Sequence, residues 1–146
     1  MVLSLAVLQV PGAPAAAQDV PIWLTCSGMA EYTYWAYDQI QQAEGHTDHA
    51  ERIRLLRISS GVFVQTHVEE VGCTVDRQDI RATIQAEANL ASDYFGIRRQ
   101  DGDTAQDILT EYDGILDTCI ADVGADRFTR LMADFAENGP PCGWTE

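Results

Sequence analysis

The chain has 146 residues, 23 acidic against 9 basic side chains and a formal net charge of −14, and every basic residue is arginine. That charge repels phosphate backbones and anionic lipid headgroups, which argues against a nucleic-acid or membrane-surface partner and leaves a basic protein, a cation or plain solubility. The length suits one domain with one core, and no apolar run approaches the roughly 18 residues needed to cross a bilayer.

The opening stretch is apolar from Val2 to Val10, breaks at Pro11, Gly12 and Pro14, and reaches Ala15, Ala16 and Ala17. Small residues at 15 and 17 fit an export-peptidase site. They predict a signal peptide over 1–17 and a single helical domain over 18–146 in the periplasm or outside the cell, although no basic residue precedes the apolar run. Cysteines stand at 26, 73, 119 and 142, none in a C-x-x-C pair. Four dispersed cysteines in an exported chain predict two structural disulfides rather than a redox or zinc motif.

The spacing predicts a first helix over 27–44, with Ser27 as N-cap and Met29, Tyr32, Ala36, Ile40 and Ala43 along one face. Tyr34, Trp35 and Tyr37 fall partly off that stripe and stand as candidate lining of a ligand groove. Thr47 is placed to cap a second helix that runs to about Val71. Its stripe is Ile53, Leu56, Ser60, Phe63, Val64, His67, Val68 and Val71. Ser59, Ser60 and Gly61 interrupt it with small side chains. A glycine inside a helix costs ~1 kcal/mol against alanine, so a kink or a close approach by another helix is expected there. A third helix begins near Thr74 or Asp76 and carries Ile80, Ile84, Ala88, Ala91, Tyr94 and Phe95, with Gly96 as a left-handed C-cap.

The clearest periodicity lies over 103–123. Apolar residues recur at Ala105, Ile108, Leu109, Tyr112, Ile115, Leu116, Cys119, Ile120 and Val123, and Asp103 with Gln106 reads as a capping box. This is the helix about which the chain is expected to organise. Its opposite face carries Asp107, Glu111, Asp113 and Asp117, like charge turned toward water or toward a basic partner. A short fifth helix is expected over 126–137, followed by a tail that Cys142 pins to the bundle. A pair of helices takes about 46 residues, which returns Cys26, Cys73 and Cys119 to one pole. Three pairings remain open, and Cys26 with Cys73 and Cys119 with Cys142 is the expectation carried forward.

Two clusters carry residue types with chemistry. His46 and His49, beside Glu44 and Glu51, have metal-ligand types at close spacing. His67 lies on an apolar stripe, and a catalytic role would require a nucleophile at about 3 Å. Ser60 is on the same face but seven residues away, about 10 Å along the axis, so it is no direct partner. Asp101, Gly102 and Asp103 start like a calcium loop but lack the later ligands, and no phosphate loop, G-x-S-x-G or H-E-x-x-H motif occurs.

These readings predict an all-α, up-and-down bundle of four to five helices with two disulfides. The expected role is that of an acidic, exported, non-catalytic binding or accessory protein of inhibitor, immunity or envelope-stress type, needing no cofactor. It would meet a basic protein partner through Asp107, Glu111, Asp113 and Asp117. The alternatives are a metal-binding protein using His46 and His49, and an enzyme with His67 in an interhelical pocket.

Overall fold

The computed structural model describes residues 19–45 and 48–144. These residues form α1 (Ile22–Glu44), α2 (Ala50–Val71), α3 (Arg77–Gln100), α4 (Ala105–Val123) and α5 (Ala125–Asn138), followed by a 3₁₀ turn, Pro141–Gly143. The protein is an all-helical bundle with two disulfides, and the described residues contain no strand. No described helix is long and apolar enough to cross a membrane. The expected signal peptide over 1–17 and the capping residue Thr47 lie outside the described residues.

The bundle gathers around α1 rather than α4. α1 packs against α2, α3 and α4, and it buries Trp23, Leu24, Cys26, Ser27, Gly28, Ala30, Thr33, Ala36 and Tyr37. Three consecutive buried residues, Cys26, Ser27 and Gly28, cannot share one stripe. A helix covered on several sides spreads its apolar and small residues around its circumference, so periodicity alone understates its burial.

Small residues let the partners come close. A Cβ on Gly28 would lie 2.7 Å from the Ile84 carbonyl oxygen and 2.9 Å from the Ala88 nitrogen, so the backbones of α1 and α3 touch there. On the α2 side, the buried Ser27 hydroxyl sits 2.9 Å from the Ser60 hydroxyl and 3.1 Å from the Ser60 carbonyl. Ser27 is therefore a packing residue inside α1 and not its N-cap. The small stretch Ser59, Ser60 and Gly61 marks a close approach, with α1 against Ser60 and the α5 ring of Phe135 3.8 Å from where a Gly61 Cβ would be.

The direction of each helix follows from the pairs it makes. Trp23 bonds Glu70 and Ser27 bonds Ser60, so α1 and α2 are antiparallel. Tyr37 bonds Asp113 near one end and Cys26 joins Cys119 near the other, so α1 and α4 are antiparallel too. The core between them holds Leu56, Phe63, Ile108, Leu109, Tyr112 and Leu116, all fully buried. The Tyr112 hydroxyl donates to the Ala91 carbonyl at 2.6 Å, which satisfies the one polar atom of that ring and locks α3 to α4.

Two further boundaries differ from expectation for identifiable reasons. α3 does not stop at Gly96 but runs to Gln100, because Arg98 clasps Tyr94 within the helix and Asp103 and Glu111 beyond it. Gly102, at φ 98°, takes the left-handed position instead. α4 is capped by Thr104, whose hydroxyl accepts from the Asp107 N–H, and not by Asp103, whose carboxylate is held by Arg98.

The sulfur pairing also differs. Cys26 is bonded to Cys119 and Cys73 to Cys142, and neither expected pair forms. Cys26 lies inside the first turns of α1, where it meets the last turns of α4; Cys73 lies in the α2–α3 loop, to which the tail returns. All four cysteines still lie toward the end of the bundle where α1 begins and α2 and α4 finish.

Candidate functional site

The four acids expected on one face of α4 are divided by the fold. Asp113 accepts from Arg52 Nε and Nη2 at 2.9 and 2.7 Å and from the Tyr37 hydroxyl, and Asp117 stands 3.5 Å from the same guanidinium. Tyr37 is 4 % exposed. Burial, then the hydrogen bond to Asp113, hold its hydroxyl protonated far above the ordinary tyrosine range. Glu111 turns the other way, toward α3, and pairs with Arg98. Asp107 is exposed in the first turn of α4, where its N–H is taken by the Thr104 hydroxyl at 3.1 Å. Asp113 and Asp117 thus help bind α4 to α2, while Glu111 borders a different surface.

That surface is the groove between α3 and α4. The two helices lean on α1 more than on each other, leaving a cleft of about 180 Å³ floored by Met29, Ala91 and Tyr112. Its lips are apolar and open to solvent: Leu90 is 60 % exposed, Tyr94 43 % and Ile115 42 %. Ile97, 57 % exposed, continues the lip on α3, since 90, 94 and 97 share one helix face. Isolated exposed leucines need no explanation, but four large apolar side chains along one groove form a patch. Carboxylates border it. Glu87 lines the cleft; exposed Asp93 lies between Leu90 and Ile97 on their face, and exposed Asp122 is two turns beyond Ile115.

The expected stripes count Tyr94 and Ile115 as core and give Leu90 no place, whereas all three are exposed. A signal was present. Leu90 and Ile97 lie off the stripe of Ile80, Ile84, Ala88 and Ala91, so they belong to a second apolar face that the core does not use.

The other candidates separate in space. Tyr34 and Trp35 line a polar trough between α1 and α3 with Gln85, Asn89 and Ser92, whereas Tyr37 is turned to the opposite side under the His49 ring, 4.9 Å centroid to centroid. His49 precedes α2, its backbone N–H donating to Gln41 Oε1 at 3.2 Å. His46 lies outside the described residues, and among those described no group of three or more His, Cys, Asp or Glu side chains could hold a metal ion. His67 is buried on α2, and burial lowers its pKa below the ordinary histidine value, opposed by the charge of Glu70. Its shallow surroundings include Asp76, Asp79 and Thr83. The Thr83 hydroxyl donates to the Asp79 carbonyl and the Ser60 hydroxyl is joined to Ser27, so neither is poised as a nucleophile for that imidazole.

No protein-family model matches the chain, and neither a curated protein nor a solved structure matches it. The chemistry of the groove therefore stands on its own geometry.

Proposed function

We propose that this protein is an exported, non-catalytic binding protein whose α3–α4 groove receives a basic amphipathic segment of a protein partner, as an inhibitor, immunity or envelope-stress factor would. The observation that carries this reading is the open apolar lip of Leu90, Tyr94, Ile97 and Ile115 bordered by Glu87, Asp93 and Asp122. An apolar stripe laid into such a groove gains burial, while cationic side chains on its flanks meet the acidic border. The net charge of −14 adds long-range attraction for a basic partner. Two disulfides support a compartment in which disulfides persist, such as the periplasm or the exterior.

The test uses a synthetic amphipathic helix built only of leucine and lysine, titrated calorimetrically, with a leucine and glutamate helix as control. The lysine helix should bind at low salt and weaken about tenfold or more near 0.5 M salt, where screening removes the steering term. The glutamate helix should not bind. Leu90→Ser with Ile115→Ser should abolish binding while leaving the circular dichroism unchanged, because both side chains are already exposed. Binding that ignores both salt and this double substitution would refute the proposal.

A further inference from the structure

Three of the nine arginines, in a chain that is otherwise strongly acidic, meet on a different face of the molecule. α2 and α3 both pack on α1, and the trough between them is walled by the returning tail. The result is a cavity of about 230 Å³. Its walls are apolar, made by Val64, Ile80, Ile84, Phe135 and the tail residue Trp144. Arg57, Arg77 and Arg81 border it, and among the described residues Glu31 is the one carboxylate that lines it. Arg81 Nη1 holds Glu31 at 2.8 Å, so the one acid of the cavity is already matched. The Arg57 guanidinium lies 5.3 Å above the Tyr34 ring, which orients the cation without neutralising it.

We propose that this cavity binds a small amphipathic carboxylate. The apolar body lies against Val64, Ile84, Phe135 and Trp144, and the carboxylate meets Arg57 and Arg81. The sign of the ligand follows from Arg57 and Arg81 set against the single described carboxylate, Glu31, and guanidinium matches the planar two-oxygen geometry of a carboxylate. The need for an apolar body follows from the walls, which a hydrated inorganic anion would leave unfilled. The size follows from the volume: it is below the range that holds drug-sized molecules, so about ten non-hydrogen atoms fit. This site is separate from the α3–α4 groove.

Octanoate is the probe, with octanol and octylamine as controls of equal length, measured by isothermal titration calorimetry on the intact disulfide-bonded protein. Octanoate should bind in the range of roughly 0.1–1 mM, as expected for a ligand of this size, and both controls at least tenfold more weakly. Arg57→Gln, at an exposed position that leaves the core intact, should weaken octanoate about tenfold, and Trp144→Ala should also weaken it. Leu90→Ser with Ile115→Ser should leave octanoate binding unchanged, which keeps this result independent of the peptide groove. Absence of octanoate binding, equal binding of octanol, or full affinity in Arg57→Gln would overturn the proposal.

Discussion

Cys26–Cys119 joins two helices inside the core, whereas Cys73–Cys142 joins a loop to a tail at the surface. Cys26 and Cys119 are 2 % and 6 % exposed, while Cys73 is exposed and Cys142 half-buried. The bridges span 93 and 69 residues, and chain entropy alone would credit each with about 4–5 kcal/mol. Their native-state settings make them unequal. Cutting the inner bridge frees almost nothing, because α1 and α4 stay packed, so the whole entropic loss remains and buried sulfur contacts go with it. Cutting the outer bridge lets the tail move in the folded state as well, which returns part of the loss. One disulfide fastens the hub of the bundle, and the other holds a flap.

The largest expected effect is therefore at the hub. Cys26→Ala with Cys119→Ala should cost about 4 kcal/mol and lower Tm by roughly 10–20 °C in a thermal melt followed by circular dichroism. A fall of under about 5 °C would show that the two bridges are not ranked by burial. The matching change at the surface, Cys73→Ser with Cys142→Ser, should cost about half as much, near 2 kcal/mol. It should also release Trp144, so tryptophan emission shifts to the red while near-ultraviolet circular dichroism from the core persists. In the unmutated protein, graded reduction followed by alkylation and mass spectrometry should label Cys73 and Cys142 before Cys26 and Cys119. Simultaneous labelling of all four would break the comparison.

The same contrast explains what was legible in the sequence. α4, amphipathic with one buried side, announced itself through its spacing, as did the lengths of α2 and α5. α1 was legible as a helix over 27–44 but not as the hub, because Ser27, Gly28, Ala30, Thr33 and Ala36 are buried for being small and not for being apolar. Their burial depends on which helices come close, and that is a tertiary fact. The sulfur pairing misled for a related reason. Position along the chain suggested neighbours, but environment decides: Cys119 sits on a buried stripe and needs a helical partner, while Cys73 and Cys142 both lie beyond α-helix ends. The acidic face of α4 was legible as charge but not as function, since Arg52 of α2, 61 residues before Asp113 in the chain, takes Asp113 and Asp117 for internal use. The α3–α4 groove was hidden because an exposed apolar face and a buried one look alike until neighbours are placed.

The smallest effect concerns the ion pairs that keep the flap's helix seated. Arg130 and Arg127 of α5 both bond Glu69 of α2, at 2.9 and 3.0 Å. The hydrogen bond from Arg130, aided by Arg127 and opposed by burial, holds the Glu69 carboxyl below its ordinary value of 4.5. A carboxyl depressed in the folded state contributes its full stability above the unfolded pKa and loses it as pH falls through the folded one. The pairs face water, so screening limits the contribution to about 1 kcal/mol or less. Glu69→Gln should accordingly lower Tm by a few degrees at pH 7, and that deficit should shrink toward zero as pH is taken well below 4.5. Because the loss belongs to α5, it should coincide with easier quenching of Trp144 and leave the α1–α4 half of the bundle unaltered. A deficit that stays constant down to low pH would mean that Glu69 acts through its shape and not its charge, and the flap would then be held by its disulfide and apolar contacts alone.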